Sequence, residues 1–318
     1  MLNVQRLRVL KEVAAHRSFS AAADALSYTQ SAVSQAVATL EAETGATLIE
    51  RDRKGVRPTA AGEALLAHAE GIFARIEAAE DALASILGVR GGRLRMASFP
   101  TAGNTLMPLA IARFRAAHPD VQLTLAEGEP EDIAPRLRTG EFDLALLFEF
   151  RGAAAGKITS GLRTVELRED PLHVVLPKGH ERAEKGALKL EDLSGESWIQ
   201  TSAESPCARH VVRSCHEAGF SPTVSFESDD YQTVLGLVAA GVGVALIPEL
   251  ALAGARDDVE VRELAGKGVT RRVLAATPRG TGVPPAVGPM VELLREVASG
   301  FPAWAERASL SFSRDRRP

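Results

Sequence analysis

Apolar positions recur with helical spacing through the first ninety residues, then give way to short apolar runs alternating with helical stretches. Over residues 4–15, Leu7, Val9, Leu10 and Val13 share one side of a helix. Ser18 or Ser20 can cap a second, short helix running to Leu26, and its Ala21, Ala22 and Ala25 let another helix approach closely. Thr29 is the expected cap of a third helix over 30–44, which Gly45 ends. Val33, Val37 and Leu40 form its buried stripe, so Gln30, Ser31, Ser34 and Gln35 face away. The stretch "LIERDRKGVRPT" reads as strand, turn at Gly55 and strand. A long helix follows over 60–87, about 42 Å from end to end, with Thr59 as its cap. Along it Leu65, Ala69, Ile72, Ile76, Ala79, Leu83 and Ile86 keep a heptad spacing. Such a seam calls for a partner helix from a second copy, or else packs on its own domain. "GVRGG" at 88–92 marks a boundary.

The two helices around "SYT" match a helix-turn-helix, whose second helix enters the major groove of double-stranded DNA. That helix needs short polar side chains near its N-terminus: glutamine can bond the adenine edge, and serine is a small donor or acceptor. Periodicity alone fits equally well an alanine-rich hairpin with a solvated polar face. The strand pair tips the balance, because between Arg51 and Arg57 it holds Arg51, Arg53, Lys54 and Arg57 against Asp52 alone. The third helix carries no Lys or Arg over 30–40, so phosphate binding would fall to the wing and base reading to the helix. The whole chain has net charge −4, yet residues 1–59 hold eight Lys/Arg against six Asp/Glu.

From Arg93 onward strands alternate with helices, which indicates α/β architecture. "RLRMASF", "VQLTLAE", "FDLALLF", "LHVVLP", "SWIQT", "TVSFES", "GVALIP" and "RRVLAAT" read as strands; 103–117, 130–139, 207–218, 230–240 and 285–299 read as helices. In open α/β sheets ligands sit at the carboxyl ends of strands. That rule selects Ser98, Phe99, Pro100 and Thr101, then Phe148 in "FEF", then Thr201 and Ser202 in "TSAES", and Asp229 in "SDD". Hydroxyls beside helix N-termini suit an anionic or polar ligand, and plain capping accounts for the same residue types. Asp229 and Asp230 would oppose an anion, so the ligand could carry a donor at that end.

The run from "FSAAADALSYTQSAVSQAVATLEAETGATLIERD" through "RPTAAGEALL" resembles the N-terminal domain of LysR-type transcriptional regulators, with its motifs in family order. The resemblance implies a winged helix-turn-helix over 1–59, a dimerising linker helix and hinge over 60–90, and an effector-binding domain over 91–301. It implies that this last domain is two-lobed and periplasmic-binding-protein-like, with lobe one at 91–164 plus 269–301, lobe two at 165–268, and a tail at 302–318. By position, Thr29, Gln30, Ser31, Ser34 and Gln35 would touch bases or phosphates, and Arg51, Arg53 and Arg57 would be the wing contacts. Many relatives have a basic residue at position 35, where this chain has glutamine. Dimerisation would use Leu65, Ala69, Ile72, Ile76 and Leu83. The expected partners are operator DNA, a small-molecule effector, the chain itself as homodimer or homotetramer, and RNA polymerase.

Enzyme readings find little footing. HExxH, GxSxG and P-loop patterns are absent, "GVGVAL" lacks the third glycine of a dinucleotide fingerprint, and seven scattered histidines give no metal spacing. No cofactor, metal or catalytic residue is expected. The 45% hydrophobic, 25% charged composition is that of a soluble globular chain. Two cysteines are too few for a disulfide framework, and "MLNVQRLRVLKE" has charges where a signal peptide needs an apolar core, so a cytoplasmic location is expected. The longest uncharged run, 231–248, is broken by glycines and ends in proline, unlike a membrane span. Two alternatives to an effector-modulated regulator remain: a thiol-based sensor using Cys207 and Cys215, and a solute-binding module whose N-terminus serves only assembly. Eight residues along an intact helix put the two cysteines about 12 Å apart, beyond disulfide reach.

Overall fold

Three helices open the chain: α1 (Val4–His16), α2 (Phe19–Leu26) and α3 (Gln30–Thr44). The structure is a computed structural model, and it describes residues 2–52, 55–86, 92–151, 156–184, 186–254, 256–266, 268–279 and 283–302. Each opening helix starts on a side-chain cap. Asn3, Ser18 and Thr29 accept from backbone N–H groups that the helix leaves unpaired. Of the two serines that could cap α2, Ser18 does so. Ser27, in the left-handed region at φ 56°, ends α2, and Gly45 at φ 68° ends α3. The apolar stripes meet in one core of Leu7, Leu10, Val13, Ala22, Ala23, Val33, Val37 and Leu40.

Strands β1 (Ile49–Asp52) and β2 (Gly55–Pro58) pair antiparallel, with Glu50 opposite Arg57 and Arg51 opposite Val56. Glu41 on α3 accepts from the backbone N–H of Leu48 at 2.7 Å and of Ile49 at 3.2 Å, fastening α3 to the base of the hairpin. The long helix α4 (Ala60–Ile86) then begins on Thr59, whose Oγ1 accepts from Gly62 N at 3.1 Å. Gly62 itself is a packing necessity, since a Cβ there would lie 2.1 Å from the Leu48 carbonyl oxygen.

The remaining chain runs β3 (Gly92–Ser98), α5 (Pro100–Asn104), α6 (Leu106–Ala117), β4 (Val121–Glu127), α7 (Pro130–Thr139), β5 (Leu144–Phe150), β6 (Leu162–Pro177), β7 (Ala187–Leu188), β8 (Ser197–Gln200) and α8 (Pro206–Glu217). It continues through β9 (Thr223–Glu227), α9 (Tyr231–Ala239), β10 (Ala245–Pro248), β11 (Val259–Leu264), β12 (Thr270–Pro278) and α10 (Val287–Gly300). The single helix expected over 103–117 is instead two, broken at Thr105, whose Oγ1 donates to the Thr101 carbonyl at 2.6 Å. The strand expected at "LHVVLP" is the second half of the sixteen-residue β6. Its first half, "LRTVELRED", is too charged to read as a strand from sequence and is drawn into the sheet by β12.

β3 lies parallel to β4 and β5, and β12 pairs antiparallel with both β5 and β6, giving the order β4-β3-β5-β12-β6. β12 accompanies β6 from Leu162 to Pro171; from Leu172 onward β6 pairs with β10 and β11 instead. The partners therefore exchange inside β6, and the chain passes between two α/β lobes through β6 and β12. The first lobe buries Met96, Phe99, Phe114, Leu146, Met290 and Leu294. The second buries Trp198, Val211, Val234, Leu235 and Ile247 in two clusters.

α4 also touches the first lobe. A Cβ on Gly71 would meet the Thr139 carbonyl oxygen at 2.8 Å, Arg95 Nη2 donates to the Ala74 carbonyl, and Arg93 pairs with Glu77 at 3.0 Å.

A candidate DNA-reading surface and an inter-lobe cleft

The structure leaves the polar face of α3 uncovered. Thr29, Gln30, Ser31 and Gln35 are exposed, and Ser34 is half-buried. Thr29 is also the helix cap, and its Oγ1 lies 3.0 Å from that of Ser31. The buried stripe of Val33, Val37 and Leu40 orients this face outward. Arg57 is exposed on β2. Arg51 lies on β1, and Arg53 falls outside the described residues. The N-terminus of α3 thus exposes short donors and acceptors, and Glu41 farther along the same helix ties it to the hairpin that carries Arg57.

The heptad positions of α4 divide in two. Leu65, Ala69 and Ile72 pack into the core of the helix-turn-helix, and Ala69 is fully buried there. Ile76 and Leu83 are 37% and 60% exposed. The N-terminal half is therefore covered within the chain, while the C-terminal half presents Ile76 and Leu83 to solvent.

Between the lobes lies a narrow space of about 20 Å³, room for about one water, lined by Phe99, Pro100, Thr101, Glu129, Phe148, Thr201, Ser205, Cys207, Asp229, Tyr231 and Arg271. Six of the residues expected from strand ends line it: Phe99, Pro100, Thr101, Phe148, Thr201 and Asp229. Ser98 is buried and donates to the Phe99 carbonyl, and Ser202 donates through N and Oγ to Asp229 Oδ1 at 2.9 Å. The other hydroxyls also have protein partners. Thr101 Oγ1 accepts from Arg271 Nη2 at 2.5 Å, and Thr201 Oγ1 shares a 2.5 Å hydrogen bond with Ser205 Oγ, which caps α8 through Ala208 N.

Arg271 is the centre of this arrangement. It is 1% exposed and pairs with Asp170 across β12 and β6 at 2.8 Å. Asp170 Oδ1 accepts from Leu250 N of the second lobe. The guanidinium lies 4.9 Å from the Phe99 ring centroid and 4.6 Å from that of Phe148, and Nη1 is 3.7 Å from Cys207 Sγ on α8. Burial works against its charge, and the surrounding groups, Asp170 foremost, together more than offset that. In sequence, Arg271 and Arg272 are adjacent on a strand, and only the pairing decides which of them points inward. Glu129, just beyond the carboxyl end of β4, is a position that the strand-end rule also finds. Burial raises its carboxyl to about 7 against the pull of Arg271.

The lobes meet elsewhere too. Arg209 on α8 pairs with Glu131 on α7 at 2.5 Å, Arg168 with Glu249 at 2.6 Å, and the His210 ring stacks on Phe150 with centroids 3.9 Å apart. Burial and Arg213 lower His210 to about 4, so a neutral imidazole makes this stack. Cys207 and Cys215 both lie on the unbroken α8, and both are free. Burial raises both thiols, Cys215 to about 12. Among the described residues no His/Cys/Asp/Glu group is arranged to hold a metal, and no helix is long and apolar enough to cross a membrane.

Two family models match the chain. Residues 4–63 match the model of the bacterial regulatory helix-turn-helix protein, lysR family, and residues 88–299 match the LysR substrate binding domain. Among curated relatives, one described as the probable HTH-type transcriptional regulator LrrA of Synechococcus elongatus is 30% identical over 299 residues, 93% of this chain and 98% of the relative. In fold, the chain is similar to a full-length OxyR variant from Pseudomonas aeruginosa, with TM-score 0.70 and 24% identity over 94% of this chain and 95% of that one. It is also similar to full-length CbnR complexed with its target DNA, with TM-score 0.68 and 22% identity over 93% and 100% of the two chains. The chain belongs to the LysR family of DNA-binding transcriptional regulators.

Proposed function

We propose that this regulator binds operator DNA as an oligomer through α3 and the β1–β2 wing, and that a small molecule in the inter-lobe cleft changes how its reading heads are presented. The uncovered polar face of α3, with Arg57 exposed on the wing of the same domain, carries the DNA reading. In this reading residues 1–59 form the DNA-binding domain, α4 pairs with its counterpart in a second copy, and the lobes form the effector domain. The protein acts in the cytoplasm, where its operator and RNA polymerase are. Arg271 supports the effector role, because one side chain touches Thr101 of α5, Asp170 of the crossing strand and Cys207 of α8. A ligand there would contact both lobes and could favour one arrangement over another.

The test is a footprint of the full-length protein on the DNA adjoining its own gene, followed by binding titrations over a salt series. Replacing Arg57 with Ala should weaken binding to all sequences and flatten the salt slope by about one charge. Gln30→Ala should cost about 1–3 kcal/mol at particular base pairs only. Equal loss on every sequence from Gln30→Ala would overturn the assignment of roles.

A further inference from the structure

We propose that the inter-lobe cleft and the wider space opening beside it take an organic cation, an ammonium or amidinium group on an apolar body, with the cation against Glu129 and Asp229 and the body in the wider space against Tyr231, Leu250 and Ala251. This deepens the reading of the cleft as the effector site and rests on it.

Among the described residues that line the cleft and the larger space opening beside it, Arg271 is the sole cation. Its Nε bonds to Asp170, its Nη2 to Thr101 and its Nη1 faces Cys207, while Phe99 and Phe148 lie against the guanidinium. A carboxylate or phosphate ligand would have to take donors away from that buried ion pair, which is costly.

The negative charges are differently placed. Glu129 of the first lobe and Asp229 of the second line the cleft, and Glu127, Asp229 and Asp230 line the adjoining space of about 600 Å³. Asp230 is taken up by capping α9, where it accepts from Gln232 N, Thr233 N and Thr233 Oγ1. Asp229 uses Oδ1 for Ser202. Among the described residues no side chain or backbone N–H donates to Asp229 Oδ2, and none donates to the Glu129 carboxyl. An incoming cation therefore finds acceptors from both lobes, whereas an anion meets like charge. The cleft hydroxyls of Thr101, Thr201 and Ser205 already have protein partners.

The groups facing Glu129 are Arg271 on β12, Glu131 and Asp132 on α7, Asp229 ahead of α9, and Tyr231 and Cys207. Arg209 on α8 is held by Glu131. Burial, with Arg271 opposing and Glu131, Asp229 and Asp132 adding, raises the Glu129 carboxyl to about 7. Below that value Glu129 is mostly neutral, and above it is mostly a carboxylate. Affinity for an organic cation should therefore rise with pH through this range, and affinity for an organic anion should fall.

The experiment titrates phenethylammonium, phenethyl alcohol and phenylacetate, which share one aromatic body, into the full-length protein by calorimetry. Hydrogen exchange locates each bound probe. At about pH 8, phenethylammonium should bind at least roughly tenfold more tightly than phenylacetate, and its affinity should fall several-fold by about pH 6. Glu129→Gln should weaken its binding about tenfold and remove the pH dependence, and Asp229→Asn should weaken it at every pH. Both variants should change the binding of phenethyl alcohol much less than that of phenethylammonium. Tighter binding of phenylacetate, with protection of α5 and α8, would overturn the organic-cation class and leave the cleft reading in place. Phenethylammonium binding that ignores both variants, or no binding of any probe, also overturns the inference. The cleft reading fails separately if Thr101→Trp, which fills the space, binds the operator normally and leaves regulation of the target gene unaltered.

Discussion

Arg271 and Asp170 face each other across β12 and β6 with Nε and Oδ2 2.8 Å apart, at the point where the chain passes from one lobe to the other. Both side chains are out of solvent. The Asp170 carboxylate also accepts from Leu250 N, so a single pair links the crossing strands to the second lobe.

Removing one partner of this pair should be far worse than removing both. Asp170→Ala leaves a guanidinium buried without its counter-charge, and a loss of about 3–5 kcal/mol is expected. Arg271→Met with Asp170→Leu should lose much less. Urea unfolding measures this as a fall in midpoint at constant slope. A single variant with the parental midpoint would show that the pair does not hold the crossing.

Gly62 and Gly236 should respond oppositely to alanine. At Gly62 the new methyl would meet the Leu48 carbonyl oxygen at 2.1 Å, so α4 must move off the base of the wing. A loss of about 1–3 kcal/mol is expected, with weaker operator binding. Gly236 lies within α9 with nothing within 4 Å of its Cβ position, so helix propensity should make Gly236→Ala neutral or stabilising by up to about 1 kcal/mol. Thermal melts of the two variants side by side give the comparison; equal shifts would refute it.

The two halves of the α4 seam should also separate. Ile72→Asp puts charge into the core of the helix-turn-helix and should unfold that domain. Ile76→Asp with Leu83→Asp alters residues exposed within one chain, so folding should survive while pairing of two copies is lost. Sedimentation and circular dichroism distinguish these outcomes. If the Ile76/Leu83 variant sediments as the parent does, the exposed half of the seam is not the assembly surface.

The thiols should be inert. Burial raises Cys207, and Cys215 to about 12, so little thiolate is present near neutral pH, and α8 holds the two sulfurs apart. Native protein should label slowly with a thiol reagent, and operator binding should not change with peroxide. A peroxide response that disappears in Cys207→Ser or Cys215→Ser would establish the thiol-sensor alternative.

What the sequence by itself determined is what neighbouring residues decide. Thr29, Gly45 and Thr59 set helix ends through bonds and dihedrals within one turn, and the spacing of Val33, Val37 and Leu40 orients α3 whatever surrounds it. The outward face of Gln30, Ser31 and Gln35, and six of the cleft residues, followed from such local rules. Tertiary structure alone decided the rest, because it depends on partners far along the chain. The first half of β6 is strand only because β12, about a hundred residues later, pairs with it. Arg271 rather than Arg272 enters the cleft because the register with β6 sets it opposite Asp170. The seam of α4 keeps one period throughout, yet Ile72 is covered and Leu83 is not, since the helix outruns the domain it packs on.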